Sequence, residues 1–314
     1  MRKILSLFLA AIFILTFPSC DLISEKPDKG VMHVVAIGNN FPVYIDGDEV
    51  YFHHVTYKDK TYKLSPLTSC INDANAISLV FEKYANDTNT KVDINNLAGR
   101  YIDDFLDALN NLKTTAKPED LTVIFISTHG NNMVREKVSY DQENSVDAFF
   151  VLQDSEYIES KPIKYSDFLS SLEQIPGTVL VLADFCFSGA LISQTNYTYN
   201  VENYYGSDPI NLLFSSKKVN DSSKIFELCS SSYREESYGD FKLSVYTKAL
   251  LAAIGVSNYT PATKEVEYTS IPTLLNNRIY LSEIYRYVYE KTHEKQNPQM
   301  NAGVQDLVVF DFSN

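Results

Sequence analysis

Leu121-Thr122-Val123-Ile124-Phe125-Ile126-Ser127-Thr128-His129-Gly130 and Thr178-Val179-Leu180-Val181-Leu182-Ala183-Asp184-Phe185-Cys186-Phe187-Ser188-Gly189 follow one plan. Each is a short apolar, β-branched run that ends in a polar residue, a reactive side chain and a glycine. A run that is apolar at nearly every position suits a parallel strand covered on both faces. Open parallel sheets bind their ligands beyond the carboxyl ends of the strands. The two runs therefore predict that His129 and Cys186 project from one rim of one sheet. A thiol and an imidazole held side by side there are a nucleophile and its base.

Outward from these runs, residues 31–38 read as another buried strand, and 43–55 alternate around Asp46-Gly47 as a hairpin does. Residues 72–85 carry Ala76, Ile77, Leu79, Val80 and Tyr84 at helical spacing. Residues 101–112 repeat Ile102, Phe105, Leu106, Leu109 and Leu112 as a helical stripe. Segments 147–152 and 224–229 read as further strands, and 304–312 as a closing strand. Segments 165–172, 244–254 and 281–293 read as helices. Residues 194–220, rich in Asn, Tyr, Ser and Asp, read as a long loop. Strands alternating with helices predict an α/β fold with a mostly parallel central sheet and helices on both faces.

The first residues point to export. Met1-Arg2-Lys3 is positive and residues 4–17 are almost wholly apolar, a secretory signal too short for a stable membrane span. Phe17-Pro18-Ser19-Cys20 resembles a bacterial lipoprotein signal, although Phe17 stands where Leu is usual. On that reading residues 1–19 are removed, Cys20 carries lipid, residues 20–30 are a polar tether, and residues 31–314 form one domain. The protein is then exported and lipid-anchored to a bacterial membrane, facing the periplasm or the surface. An ordinary cleaved signal would instead leave it soluble.

Net charge is −13 for the whole chain, a surface that argues against nucleic acid and suits basic peptides. With Cys20 lipidated, Cys70, Cys186 and Cys229 remain, an odd number that is no disulfide framework. No Cys-x-x-Cys occurs, and His53-His54 are adjacent, so on a strand they point to opposite faces and share no metal.

The chemistry asks for more than the pair. A cysteine nucleophile needs thiolate character and a proton acceptor, and His accepts protons near neutral pH. The attacked carbonyl needs two donors for its developing charge, and the backbone N–H groups of Gly130 and Cys186 are candidates. Glycine after the His lets a substrate backbone approach closely.

These residues resemble the caspase-like cysteine peptidases, and most closely the metacaspase branch. The match covers roughly residues 31 to 312. His129 and Cys186 are 57 residues apart, close to the roughly 50-residue spacing of caspases. Leu67-Thr68-Ser69-Cys70-Ile71-Asn72-Asp73-Ala74 resembles the metacaspase segment Leu-x-Gly-Cys-x-Asn-Asp-Ala. Ser127 to Gly130 resembles Ser-Gly-His-Gly, and Asp184 to Gly189 resembles Asp-x-Cys-His-Ser-Gly. Cys229 to Leu251 resembles a strand, a Ser-rich turn and a Gly-x-Phe-Thr helix, here Val245-Tyr246-Thr247, and Pro298-Gln299 a Pro-Gln before the last strand. The resemblance implies a caspase-like three-layer sandwich and a cysteine endopeptidase, with Cys186 as nucleophile and His129 as base. It also implies a specificity pocket lined by Cys70, Asp73, Ser127 and Asp184. Two carboxylates there would bind a guanidinium or ammonium, so cleavage is expected after Arg or Lys. The chemistry requires no cofactor. Family members are often activated by Ca2+, and Asp141, Glu143, Asp147 and Asp154 are acidic residues between the two rims.

Ser69, Thr128 and Phe187 depart from the family's Gly, Gly and His, and Thr128 is expected to narrow access beside His129. A different class of function is a non-catalytic, protein-binding lipoprotein on the same scaffold. Residues 197–205 would then be a recognition surface. In an enzyme they would cover the cleft or be cut, and Lys217-Lys218 would suit self-cleavage.

Overall fold

The computed structural model describes residues 30–132, 148–155, 158–194, 224–301 and 306–313. The first part of the chain contains β1 (Met32–Gly38), β2 (Tyr44–Asp46), β3 (Glu49–Tyr51), β4 (His54–Tyr57), β5 (Lys60–Lys63), α1 (Cys70–Thr88), β6 (Val92–Ala98) and α2 (Ile102–Thr115). The middle contains β7 (Leu121–Ser127), β8 (His129–Asn132), β9 (Ala148–Gln153), β10 (Glu159–Lys164), α3 (Tyr165–Leu172), β11 (Thr178–Asp184) and α4 (Ala190–Gln194). Then follow β12 (Ile225–Cys229), α5 (Val245–Ala253), β13 (Val256–Thr260), β14 (Glu265–Tyr268), β15 (Leu274–Leu275), β16 (Arg278–Tyr280), α6 (Leu281–Thr292), β17 (Gln299–Asn301) and β18 (Val308–Asp311).

The apolar runs form the middle of a six-stranded sheet of order β17-β12-β11-β7-β1-β6. Every pair in it is parallel except β12 with β17. Successive residues of a strand point to opposite faces, and both faces here are apolar. Val34, Ala36, Val123, Phe125, Leu180 and Leu182 pack under α1, α5 and α6 with Ile77, Leu250 and Ile284. Val35, Ile37, Ile124, Ile126, Val179 and Val181 pack under α2, α3 and α4 with Phe105, Phe168 and Leu191. Each of the Val, Leu, Ile and Phe side chains contributes about 1.5–3 kcal/mol on burial. The result is the expected three-layer α/β/α sandwich.

The structure adds what periodicity missed. Residues 92–98 form the outer parallel strand β6, although Asp93, Asn95 and Asn96 disfavour strand. One face of an edge strand is free to be polar, so no apolar run marks it. A second sheet, β5-β4-β10-β9-β8, lies beside the first and is antiparallel except between β10 and β4. The closing strand of residues 304–312 is shorter, as β18, and pairs with β16 in a small separate sheet, while β17 closes the main one. Leu106 of the α2 stripe faces solvent, with Ala108 buried in its place. Among the described residues no helix is long and apolar enough to cross a membrane.

The amino end of α1 is pressed against the carboxyl end of β1. A Cβ at Gly38 would lie 1.9 Å from the Cys70 carbonyl oxygen, so only glycine fits there. Gly38→Ala is expected to push the two elements apart and cost about 3 kcal/mol. The check is a lower urea midpoint with an unchanged slope.

Candidate active site

Parallel register sets the rim. Gly38 pairs with Ser127, and Ser127 with Asp184, so β1, β7 and β11 end at one level. The next residues hold the ends together: Asn39 N–H donates to the Ser127 carbonyl at 3.1 Å, and Thr128 N–H to the Asp184 carbonyl at 3.2 Å. At Thr128 the chain leaves the parallel sheet, and His129 is already the first residue of β8 in the second sheet. Thr128 is buried, its hydroxyl bonded to the Val151 carbonyl. Its side chain is thus held back onto β9, while Thr128 still contributes to the lining of the cleft beside His129.

Cys186 lies in the turn between β11 and α4. Phe185 anchors that turn, stacked on Phe150 at 5.4 Å between ring centroids. Phe187 holds it from the other side, buried, with φ at +63° and its N–H bonded to the Glu235 carbonyl at 2.7 Å. The position that is usually His in the family is thus a packed aromatic in left-handed backbone. Gly130 brings the two rims into contact: a Cβ there would stand 2.1 Å from the Cys186 carbonyl oxygen. His129, Gly130 and Cys186 consequently face one cleft of about 540 Å³.

The electrostatics of the pair follow from burial. His129 Nε2 lies 2.7 Å from the Ser65 carbonyl. A carbonyl only accepts, so Nε2 carries the proton and the neutral ring keeps its lone pair on Nδ1. Burial lowers the His129 pKa, and the Ser65 bond only partly opposes it. Burial raises the Cys186 thiol, with further push from the Glu236 and Asp184 charges. Both shifts favour the uncharged forms, a thiol and a neutral imidazole, and the Cys186 thiol is directed to the Ser237 carbonyl at 3.9 Å.

The base of the cleft is acidic. Cys70, Ser127 and Asp184 line it, and Asp73 lies directly behind Ser127 and Ser244. Asp73 is 0% exposed and Asp184 3%. Asp73 accepts from Ser127 Oγ and from Ser244 N–H, both at 2.9 Å. Asp184 accepts from Ser237 Oγ at 3.0 Å, from Thr247 Oγ1 at 2.7 Å, and from Ser244 Oγ. Every one of these donors is neutral. Burial and then the Asp184 charge push the Asp73 carboxyl well up, and burial does the same to Asp184 less strongly. Cys70 is buried beside them, its thiol pushed well up, first by desolvation and then by Asp73.

Of the anticipated residues, Cys70, Ser127, His129, Gly130, Asp184 and Cys186 line this one cleft, and Asp73 lies behind it. Ser65, Ser237 and Ser244 carry no role in the sequence reading, and Thr247 enters it only as the Thr of the helix motif. Ser65 acts through its carbonyl, which any residue type supplies. Ser244 and Thr247 did carry a signal, a Ser N-cap and a Thr one turn into α5, with Thr247 N–H bonded to Ser244 Oγ at 2.9 Å. Of the acidic residues considered for Ca2+, Asp154 is buried and paired with Lys161 at 2.6 Å. Asp141, Glu143 and Asp147 lie outside the described residues, as do Cys20, residues 197–205 and Lys217-Lys218. Among the described residues no cluster of carboxylates fits a metal ion.

The structure resembles a solved protein of Geobacter sulfurreducens, GSU0716, with a TM-score of 0.51 and 16% identity over 88% of this chain and 94% of that one. It also matches caspase-1 of Spodoptera frugiperda over 91% of this chain and 92% of that one, with a TM-score of 0.46 and 10% identity. No curated protein matches the chain by sequence. The sequence model of the caspase domain matches residues 37–309, and by that match the chain belongs to the caspase-domain family.

Proposed function

We propose that this protein is a cysteine endopeptidase that cleaves after Arg or Lys, in the manner of metacaspases. One observation supports it above the rest. The cleft lined by Cys186 and His129 ends at the buried carboxyl of Asp184, with that of Asp73 directly behind Ser127 and Ser244, and the hydrogen-bond donors to both are all neutral. A guanidinium or ammonium is the partner such a pair lacks, whereas an acidic side chain would be repelled.

The steps follow from the resting state. As Cys186 Sγ attacks the carbonyl carbon, its proton passes to His129 Nδ1. The negative charge on the carbonyl oxygen is met by the backbone N–H groups of Gly130 and Cys186. The imidazolium returns the proton to the leaving amine, and a thioester remains. Nδ1 then takes a proton from water, which attacks the thioester and frees Cys186. No metal takes part in these steps. Export and lipidation at Cys20 belong to the same proposal and rest on the amino-terminal sequence.

The direct test is release from fluorogenic peptides ending in Arg, Lys or Asp, with and without Ca2+. Arg and Lys peptides are expected to be cut and Asp peptides spared. Release from none, or from Asp alone, would sink the proposal. Cys186→Ala should abolish cleavage and leave the unfolding midpoint in place.

Asp73→Asn separates specificity from stability. A carboxyl whose folded pKa is raised binds extra protons in the folded state, so its charge costs stability once the pH exceeds that pKa. Removing one of two like charges should leave the thermal midpoint at pH 7 unchanged or higher. Removing a buried charge partner should nevertheless cost an Arg substrate about 2–5 kcal/mol, roughly 30-fold to several-thousand-fold in kcat/KM. A lower midpoint with kcat/KM intact would contradict this assignment.

The pH dependence has two parts with defined signs. Raised carboxyls keep a proton longer, so KM for an Arg peptide should fall as pH rises through the titration of the Asp73–Asp184 pair. His129 is lowered, so the acid limb of kcat should lie below the ordinary imidazole value of about 6.5. Steady-state rates across the pH range measure both limbs.

A further inference from the structure

Phe41 is 0% exposed and holds φ at +50°. A bulky residue is rarely found in left-handed backbone, and such outliers persist where the surroundings fix them and function uses them. The surroundings here are explicit. Asn39 N–H is bonded to the Ser127 carbonyl, on the rim itself. The Asn40 carbonyl accepts from Leu67 N–H at 2.6 Å, and Asn40 Oδ1 from Ile71 N–H at 3.1 Å. The chain on either side of Ser65 is held as well, with Leu64 N–H on the His53 carbonyl at 2.8 Å. So the segment that strains Phe41 is tied both to the rim and to the loop whose carbonyl holds His129.

The Phe41 ring stands between two imidazoles. Its centroid is 5.1 Å from that of His129, tilted by 44°, and 5.6 Å from that of His53, edge-on at 82°. We infer that Phe41 is a positioning residue for His129: its ring backs one side of the imidazole while the Ser65 carbonyl fixes Nε2. The two together leave the ring little freedom to turn, and Nδ1 keeps a fixed bearing on the cleft. This rests on His129 being the base of the proposed peptidase. The ring also excludes water from the imidazole, in line with the downward shift that burial causes. The charged groups lining the same cleft are Lys63, Asp184 and Glu236, and Cys186 is the neighbouring thiol.

Phe41 also belongs to a small core with Val55, Tyr57, Leu64, Phe149 and Val151, so its loss would affect stability whatever its role. The test therefore compares Phe41→Leu, which keeps an apolar side chain and removes the flat ring, with Val55→Ala from the same core. His129 is titrated by NMR in a Cys186→Ala background, and peptide cleavage is measured with Cys186 intact. Phe41→Leu should move the His129 midpoint upward toward about 6.5, as water reaches the ring. It should lower kcat about tenfold to a hundredfold, with KM held within about threefold. Val55→Ala should lower the unfolding midpoint and leave both quantities in place. The inference is overturned if Phe41→Leu leaves either the His129 titration or kcat at the wild-type value. If the wild-type protein cleaves no peptide, the proposed function fails, and the titration alone decides whether Phe41 controls the imidazole.

Discussion

The register of three parallel strands is the constraint on which the rest depends. Because Gly38, Ser127 and Asp184 are paired side by side, everything that follows them in the chain starts from one level. Asn39 to Phe41, Thr128 to Gly130 and Phe185 to Phe187 therefore start as neighbours, and the bonds of Asn39 to Ser127 and of Thr128 to Asp184 keep them so. A slip of one residue in β7 would turn Ser127 away from Asp73 and exchange the two apolar faces of the strand. Burial on both faces makes that slip costly, so the core that stabilises the sheet also aligns the rim.

The cleft concentrates groups that a stable core would avoid. Two carboxyls lie together with only neutral donors bonded to them among the described residues, and burial drives both pKa values up, with the Asp184 charge adding to the shift of Asp73. What makes this tolerable is a set of hydroxyls and one N–H drawn from Ser127, Ser237, Ser244 and Thr247. Each bond to a charged group contributes roughly 1.5–3 kcal/mol, enough to offset much of the desolvation. Ser244 is the hinge of this arrangement, since its N–H serves one carboxylate and its hydroxyl the other. A site that stores such repulsion in the absence of ligand is suited to a cationic one.

How much of this the sequence disclosed depended on the kind of signal. The apolar runs at Leu121–Ser127 and Thr178–Asp184 are unambiguous, because burial on both faces leaves no room for polar residues. His129 and Cys186 followed from them as the reactive residues just past two such ends. β6 was invisible because an edge strand tolerates Asp and Asn, and β8 because four residues starting at His129 make no pattern. Ser65 and Phe41 were hidden for a different reason. Ser65 contributes a backbone atom, and the backbone angle of Phe41 has no counterpart in residue type, since a phenylalanine argues against left-handed backbone.

The acidic base and the reactive pair are not independent. The Asp184 charge, two residues before Cys186, is one of the causes that raise the thiol. On the proposed reading, a guanidinium seated against Asp184 would cancel that field where it acts on sulfur. At an effective dielectric constant near 20, unit charges about 4 Å apart interact by about 4 kcal/mol, so even a partial cancellation is felt. The thiol would then surrender its proton to His129 more readily with a basic side chain bound than without. Specificity would reside in kcat as well as in KM, because the same cation that anchors the substrate lowers the barrier to forming the nucleophile. On that reading the pair would be inert by default, a neutral thiol and a neutral imidazole, and would become reactive on binding the side chain its pocket accepts.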